Sequence, residues 1–363
     1  TDAGGQVMSS SPRSILVMAG GTGGHIFPGL AVAEHLRGKG WDVAWLGNAG
    51  GMEYRLVPAR GFQFEHIQFG GLRGKGLLTK VMLPFNLIRA MAQSWQIIRR
   101  LKPSVVLGMG GYITFPGGLV SYLSGHPLIL HEANSVAGSA NRFLAKVAAR
   151  VLTGFPKTMP NAEWVGNPIR ESFETLASCG DRYAARQGPL RLLVVGGSLG
   201  AAVLNSTIPE ALANIPIEQR PVIIHQAGEK HAEQLAELYR HLKVNAEVKP
   251  FIEDMASAYA NADLVICRAG AMTVSEISSA GVAACFIPFP YAIDDHQTAN
   301  ARFLSDAEAA ILLPQDQLSP QSLSALLQTV SRIELSAMAQ KAQGLAKHDA
   351  TQRVASICAE CAK

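Results

Sequence analysis

An apolar strand-like segment, a glycine loop and a helical segment occur in the same order twice in this chain. The two copies run over Ile15–Ala19, Gly20–Gly24 and Ile26–His35, and over Arg191–Val195, Gly196–Gly200 and Ala201–Leu212. In the first copy another apolar segment, Asp42–Leu46, follows the helix at once. A strand, a helix and a second strand in this spacing form a βαβ unit, which requires the two strands to be parallel.

The repeated unit divides the 363 residues into two halves, each of ordinary domain length. Further short apolar segments alternate with helical ones at Val105–Leu107, Leu128–Leu130, Val151–Thr153, Val222–His225, Leu264–Cys267 and Cys285–Ile287. We therefore predict an α/β protein of two Rossmann-like domains joined at the turn-rich stretch Glu163–Pro168. The predicted division is a disordered extension over 1–12, domains over 13–165 and 166–342, and a C-terminal helix over 343–363 that packs back on the first domain.

The glycine loops are expected to bind a ligand at the carboxyl ends of the strands. Glycines there let backbone amides approach an anion, and the helix that follows adds its positive end. A single loop of this kind would serve equally well as a tight turn, but two at corresponding places favour a ligand between the halves. The pattern G-x-G-x-x-G fails in both loops and no G-x-x-x-x-G-K-[ST] occurs, so dinucleotide enzymes and P-loop NTPases are disfavoured.

Composition excludes several other classes of protein. With 48% hydrophobic and 17% charged residues, the chain is neither disordered nor a long coiled coil. No apolar run is long enough to span a membrane, and the five scattered cysteines are typical of a reducing cytosol. The pair Cys358 and Cys361 has no second pair to complete a metal site. No Asp-x-Asp triplet is present, and we predict no metal and no cofactor.

Eight ordered motifs resemble the MurG family of peptidoglycan N-acetylglucosaminyltransferases. They are GGTGGHIFPGLA (20–31), GLRGKG (71–76), GMGGYITFPGG (108–118), HEAN (131–134), VGNPIR (165–170), VVGGSLGA (194–201), CRAGAMTVSEISSAG (267–281) and DDHQTANA (294–301). The resemblance implies a GT-B fold, in which two Rossmann-like domains face a central cleft. It also implies inverting transfer of N-acetylglucosamine from UDP-N-acetylglucosamine to the C4 hydroxyl of lipid I, forming lipid II at the cytoplasmic face of the inner membrane.

His25 is the predicted general base. It stands where the first glycine loop becomes a helix, and the positive helix end favours the neutral imidazole that a base near pH 7 requires. The resemblance nominates the same residue, although a histidine that merely orients the loop would look alike in sequence. Glu132, at the end of a strand, is the second catalytic candidate. His131 and Tyr112 resemble the acceptor-side residues of the family.

The remaining site residues follow from the resemblance and are predicted to bind UDP-N-acetylglucosamine. They are Thr22, Gly23, Gly24, Asn134, Arg170, Ser198, Ile252, Ala271, Met272, Thr273, Val274, Ser275, Glu276 and Gln297. Asn300 is also expected to bind hydroxyls of the donor sugar. Glu276 is expected on the ribose hydroxyls, but Thr273–Glu276 also reads as a capping box that opens a helix. Arg170 is either a nucleotide contact or part of a hinge ion pair. Ala133 and Leu199 depart from the polar residues usual in the family.

A basic stretch without acidic residues extends from His66 to His131 and holds seven cations, more than the net charge of +4. Interleaved cations and apolar residues are expected to bind an anionic membrane: Arg73, Lys75, Lys80, Arg89, Leu77, Leu78, Met82 and Phe85. Ile88, Met91, Trp95 and Ile98 continue at helical spacing and are expected to belong to the core. A solvated basic face is the alternative, and nucleic acid is disfavoured because exposed aromatics are lacking among the cations.

Two other functions fit the same architecture. A UDP-N-acetylglucosamine 2-epimerase would convert the donor without an acceptor. A nucleotide-sugar-binding subunit would bind the donor and leave catalysis to a partner.

Overall fold

The computed structural model describes residues 13–70, 82–173, 175–197 and 200–363. Its strands form two sheets in which every pairing is parallel. The first sheet has seven strands in the order β3-β2-β1-β4-β5-β6-β7, and the second has six in the order β10-β9-β8-β11-β12-β13. The fold class predicted from the repeated βαβ unit is confirmed.

The strands of the first sheet are β1 (Ser14–Met18), β2 (Asp42–Gly47), β3 (Gln63–His66), β4 (Val105–Gly108), β5 (Leu128–Glu132), β6 (Arg150–Thr153) and β7 (Glu163–Trp164). The strands of the second are β8 (Arg191–Val195), β9 (Val222–Gln226), β10 (Glu247–Lys249), β11 (Leu264–Cys267), β12 (Ala283–Phe286) and β13 (Ile311–Leu312). The central strands are buried on both faces, which accounts for their nearly continuous apolar sequences.

The helices of the first half are α1 (Gly23–Gly38), α2 (Glu53–Leu56), α3 (Leu83–Leu101), α4 (Thr114–Leu123) and α5 (Ser139–Leu144). Those that follow are α6 (Cys179–Ala184), α7 (Ala202–Ala213), α8 (Ala232–His241), α9 (Met255–Asn261), α10 (Ala271–Ala280), α11 (His296–Ser305), α12 (Pro320–Thr329), α13 (Arg332–Gly344) and α14 (Ala350–Cys361). Single 3₁₀ turns lie at Pro58–Arg60, Glu171–Phe173, Ile217–Gln219 and Ile293–Asp295. Among the described residues, no helix combines the length and apolar character needed to cross a bilayer.

The strand order reverses beside the first strand of each half, between β1 and β4 and between β8 and β11. At such a switch point the loops after the two adjacent strands diverge and leave a crevice. The glycine loops follow β1 and β8, so each lies at the crevice of its own sheet. The two copies of the sequence repeat therefore occupy corresponding positions in the two sheets.

The last helix, α14, returns to the first domain. Val354, Ile357 and Cys358 are buried in the same apolar cluster as residues of β1 and α1. Arg353 also pairs with Glu163 of β7 at 2.7 Å. The chain thus crosses between the domains twice. The two crossing segments are in contact, since a Cβ added at Gly166 would lie 2.4 Å from the Cβ of Lys347.

Two local predictions were wrong. The helix α10 begins at Ala271 after Gly270, whose backbone is extended, so Thr273 and Glu276 are inside the helix and no capping box exists there. On α3 the buried face includes Ile98 as predicted.

The other part of the α3 prediction fails because the helix buries a different face. Ile88 and Trp95 were expected in the core but are 66% and 45% exposed, and Met91 is only partly buried. The buried positions are instead Ala90, Ser94, Ile97 and Ile98.

Candidate active site

The first glycine loop is held between β1 and the loop after β4. Gly20 and Gly111 approach so closely that a Cβ added at Gly111 would lie 2.2 Å from the Gly20 carbonyl oxygen. The helix α1 begins at Gly23, so the amides of Gly23 and Gly24 lack intrahelical acceptors. The exposed Thr22 caps the helix with its backbone only. The loop therefore presents backbone donors at the positive end of a helix.

His25 occupies the third position of α1, and its protonation state follows from its contacts. Its Nδ1 lies 3.1 Å from the carbonyl oxygen of Met109. Because a carbonyl only accepts, Nδ1 carries the proton and Nε2 is left as the basic nitrogen. Burial lowers the pKa of His25 below the ordinary value of 6.5, although the nearby Glu132 carboxylate opposes the change and His296 reinforces it. The imidazole is therefore neutral at pH 7 with a free base on Nε2.

Glu53 and Asn48 support this loop, and the sequence analysis missed both. The fully buried Glu53 carboxylate accepts the N–H of Gly21 at 3.3 Å and that of Asn48 at 3.0 Å. The Asn48 side chain donates to the Tyr112 hydroxyl at 3.2 Å, which places the predicted acceptor-side tyrosine beside the loop. The signal in the sequence was the concentration of glycines around Glu53, since a Cβ at Gly51 would overlap its carboxylate.

The second glycine loop is pinned by Gln226, the last residue of β9, which was also missed. Its Nε2 donates to the Gly197 carbonyl at 3.0 Å, and its Oε1 accepts the N–H of Ile252 at 3.3 Å. Ile252, which is predicted to bind UDP-N-acetylglucosamine, therefore has its N–H held by Gln226. Ser198 and Leu199 lie outside the described residues.

The start of α10 forms the opposite wall of the second crevice. The amides of Ala271, Met272 and Thr273 have no intrahelical acceptor, whereas the N–H of Val274 donates to Gly270. Val274 is fully buried, so neither its amide nor its side chain reaches the cleft. An anion at this helix end would meet free amides and no capping side chain.

Glu276, one turn further along α10, pairs with Arg170. The Arg170 Nη2 lies 3.7 Å from the Glu276 Oε1, and the Arg170 Nη1 lies 3.5 Å from the carbonyl of Glu253. Burial raises the pKa of Glu276 to about 7, even though the Arg170 guanidinium opposes the change. The hinge ion pair considered for Arg170 is present, and it ties the segment after Asn167 to α10.

Glu132 uses its carboxylate to shape the loop that follows β5. Its Oε1 accepts from the N–H and, more weakly, the side chain of Asn134, at 3.0 and 3.4 Å. Its Oε2 accepts from the N–H of Gly138 at 3.1 Å and from Asn141 at 2.8 Å. A carboxylate with four internal donors is suited to organising residues 133–138 rather than to accepting a proton from a substrate.

His131 is fully buried and faces the passage between the domains. Its Nε2 donates to the Gly166 carbonyl at 2.8 Å, and burial lowers its pKa, so the ring is neutral. This position does not make it an acceptor-side contact. Ala133 is buried as well, and its carbonyl accepts from Asn167 at 3.0 Å.

Two asparagines join the domains at the floor of the cleft. Asn167 donates to Ala133 and to the Ser275 hydroxyl, at 3.0 and 2.9 Å. Asn300, on α11, bonds to Asn134, Ser135 and Ala269. The prediction that Asn300 reads sugar hydroxyls is wrong, because it is fully buried and its partners are protein groups.

Gln297 lies one turn before Asn300 on α11 and is partly exposed. Its Oε1 accepts the N–H of Phe289 at 2.9 Å, which orients its amide nitrogen for a further acceptor. His296, beside it, is near enough to affect His25 across the cleft. The residues predicted to bind the donor and the predicted base therefore come from both domains and lie near one another.

Comparison with known proteins identifies the class to which this fold and site belong. Residues 15–153 match the N-terminal domain model of glycosyltransferase family 28, and residues 191–354 match its C-terminal domain model. The chain is a glycosyltransferase of the GT-B type.

The relatives narrow this further. A "UDP-N-acetylglucosamine--N-acetylmuramyl-(pentapeptide) pyrophosphoryl-undecaprenol N-acetylglucosamine transferase" from Polynucleobacter asymbioticus is 68% identical over 96% of this chain and 98% of its own. The protein of the same name from Ralstonia nicotianae is 59% identical over 99% of both. The crystal structure of Acinetobacter baumannii MurG matches with a TM-score of 0.84 and 41% identity, over 96% of this chain and all of that one. The chain belongs to the MurG family.

Proposed function

We propose that this protein transfers N-acetylglucosamine from UDP-N-acetylglucosamine to the C4 hydroxyl of the muramoyl sugar of lipid I, forming lipid II, with inversion at the anomeric carbon. The relatives' shared name supports both substrates. The observation within this chain that carries the proposal is the fixed tautomer of His25, which leaves a neutral Nε2 as base beside the cleft.

The donor is held by the second domain. The free amides at the start of α10 and the second glycine loop bind the pyrophosphate, and the positive helix end favours its charge. The Glu276 carboxylate accepts hydrogen bonds from the two ribose hydroxyls, with Arg170 beside it. Gln297 and the neighbouring residues of α11 contact the sugar.

Transfer is then a single displacement. His25 Nε2 takes the proton of the acceptor hydroxyl while its oxygen forms the bond to the anomeric carbon. The bond from that carbon to the UDP oxygen breaks, and the electron pair leaves on the diphosphate. Backbone donors, the helix end and Arg170 stabilise the negative charge that develops there. Glu132, with its oxygens occupied, positions the loop near His25 and does not exchange protons.

A turnover assay with and without acceptor tests this function. The protein is incubated with UDP-N-acetylglucosamine alone or together with a lipid I analogue, and both UDP release and the identity of the sugar are measured. Acceptor-dependent UDP release and a disaccharide product are expected. Epimerised donor without acceptor would instead identify a 2-epimerase, and binding without turnover a nucleotide-sugar-binding subunit.

His25→Ala should lower kcat by about 10²- to 10⁴-fold, the usual contribution of a general base. The affinity for UDP should stay close to that of the unmodified protein. His126→Ala is the matched control, because His126 also bonds to a backbone carbonyl, that of Pro103 at 2.8 Å, but lies at the amino end of β5. Equal turnover of the two variants would exclude His25 as the base.

The protein acts as a peripheral enzyme at the cytoplasmic face of the inner membrane, where its lipid acceptor is anchored. The surface around α3 supports this part of the proposal. Phe85 and Ile88 are each 66% exposed, Trp95 is 45% exposed, and the exposed Arg89 lies among them. An exposed apolar face with interleaved cations is suited to anionic headgroups.

The residues predicted to contact the membrane divide into two groups. Met82, Phe85 and Arg89 are exposed on or beside α3. Arg73, Lys75, Lys80, Leu77 and Leu78 lie outside the described residues, as does the extension predicted over 1–12.

Sedimentation with vesicles containing anionic lipid tests the membrane proposal. Replacing Phe85, Ile88 and Trp95 together by serine should reduce the bound fraction. The matched control replaces exposed apolar residues of the second domain, Ile217 and Ile333, which are 73% and 83% exposed. If both variants sediment like the unmodified protein, α3 is not the membrane contact.

A further inference from the structure

Asn300 has every hydrogen-bonding position of its side chain filled by protein groups. The Oδ1 accepts from the N–H and from the hydroxyl of Ser135, both at 2.8 Å. The Nδ2 donates to the Oδ1 of Asn134 and to the carbonyl of Ala269, both at 3.2 Å. A carboxamide offers two donors and two acceptor sites, so this residue is saturated.

The orientation of this amide is fixed by its partners. The Ser135 N–H can only donate and the Ala269 carbonyl can only accept. A flipped amide would place its NH2 against the Ser135 N–H and its oxygen against the Ala269 carbonyl, at a site with no exposure to water. Asn300 therefore holds a single arrangement of the groups around it.

The groups that bond to Asn300 lie on both the donor side and the acceptor side of the cleft. Asn300 lies one turn after Gln297 on α11, and Ala269 immediately precedes Gly270, the residue that caps α10. Asn134 and Ser135 belong to the loop 133–138 that Glu132 organises in the first domain. One side chain thus connects the two donor-binding helices to a loop next to the base.

A second connection reaches the same loop. Asn167 donates from one Nδ2 to the Ala133 carbonyl and to the Ser275 hydroxyl of α10. Residues 133–135 are therefore tied to the second domain at three consecutive positions. This explains why Ser275, although predicted to bind substrate, is directed at another protein group.

We propose that Asn300 is a positioning residue for the transfer: it fixes the loop 133–138 of the first domain against the donor-binding helices of the second. This inference rests on the proposed function. A displacement requires the acceptor hydroxyl to meet the anomeric carbon in line, and small errors of placement cost large factors in rate. Loss of Asn300 releases the loop, whereas the α10 amides, Glu276 and Arg170, to which the donor binds in the proposed function, keep their own contacts.

Steady-state kinetics and calorimetry of Asn300→Ala test the inference. We expect kcat/KM for a lipid I analogue to fall by about tenfold or more, while the dissociation constant of UDP-N-acetylglucosamine changes by less than about threefold. Ser324→Ala is the control, since Ser324 is a buried residue of the same domain whose hydroxyl bonds within its own helix, to Gln321. It should keep both parameters.

Ser135→Ala removes the hydroxyl that donates to Asn300, so it weakens the same link from the side of the loop. It does not disturb the core of the second domain. It should show the same pattern as Asn300→Ala, and in the double variant its effect should be smaller than alone, because the two residues share one interaction. If Asn300→Ala does not fold, Ser135→Ala decides by the same two measurements.

Two results would overturn the inference. An equal loss of donor affinity and acceptor turnover would make Asn300 part of the donor site, and unchanged acceptor kinetics would make the link irrelevant to transfer. Failure of the unmodified protein to turn over the lipid I analogue would contradict the proposed function instead, so the two failures are distinguishable.

Discussion

Glu276→Gln should stabilise the protein at alkaline pH while weakening its binding of the donor. In the ligand-free protein burial raises the pKa of Glu276 from the ordinary 4.5 to about 7. The folded state therefore holds a proton that the unfolded chain releases, and unfolding is favoured as the pH rises. The stabilising contribution of the protonated group is complete below about pH 4.5 and is lost as the pH rises through about 7.

The magnitude follows from the same two values. One pKa unit corresponds to about 1.4 kcal/mol, so the interval from 4.5 to about 7 amounts to about 3 kcal/mol. The Glu276 side chain is 17% exposed, and partial solvation makes this an upper limit. The opposing effect of the Arg170 ion pair at 3.7 Å is already contained in this pKa, and it is small because Arg170 is 46% exposed and such pairs contribute about 1 kcal/mol or less.

Urea unfolding followed by circular dichroism between pH 5 and 8.5 measures this effect. Tryptophan fluorescence is unsuitable, since all four tryptophans lie at positions 41 to 164, in the first half of the chain. Gln keeps the shape of Glu but does not titrate, so the two stability curves should converge near pH 5 and separate by up to about 3 kcal/mol above pH 7. Parallel curves over the whole range would refute the reasoning.

Three further predictions concern the donor site and its supports. The dissociation constant of UDP-N-acetylglucosamine should fall from pH 6 to 8, because the ribose hydroxyls bind ionised Glu276; calorimetry in two buffers of different ionisation enthalpy should show proton release near pH 7. Gln226→Ala should weaken donor binding by about tenfold in calorimetry, through loss of one hydrogen bond that holds the glycine loop and one that holds Ile252, whereas Gln328→Ala on the surface of α12 should not. Glu53→Gln should lower kcat in the turnover assay but leave donor affinity intact in calorimetry. A glutamine has one side-chain oxygen and cannot accept from the N–H groups of both Gly21 and Asn48.

The fold was predictable because the two halves repeat a pattern with few solutions. An apolar strand, a glycine loop and a helix in close succession require parallel strands, and the observed sheets agree. The error at the start of α10 came from a sequence that satisfies two rules for helix starts at once. Thr273 and Glu276 have the spacing of a capping box, but Gly270 allows the extended backbone that starts the helix earlier.

The residues that line the cleft were less predictable than the loops that carry them. Gln226 and Glu53 form hydrogen bonds with backbone groups that are distant in the chain. No local spacing of residues in the sequence predicts such contacts. Asn300 shows the opposite error, since a polar residue in a family motif was assigned to a ligand although its partners are protein groups of both domains. Only the packing of the two domains distinguishes these roles.

The close contact of Gly166 with Lys347 bears on how the cleft can open. Two stretches of backbone run side by side between the lobes, and the Thr351 hydroxyl donates across them to the Ile169 carbonyl. A single connection would allow the two domains to rotate about any axis. Two connections side by side resist twisting and leave hinge bending about one axis as the easiest motion. Gly166 has a φ of +86°, so a larger residue there would meet both backbone strain and the neighbouring connection. The allowed movement of the whole enzyme is thus set at a point where neither substrate binds.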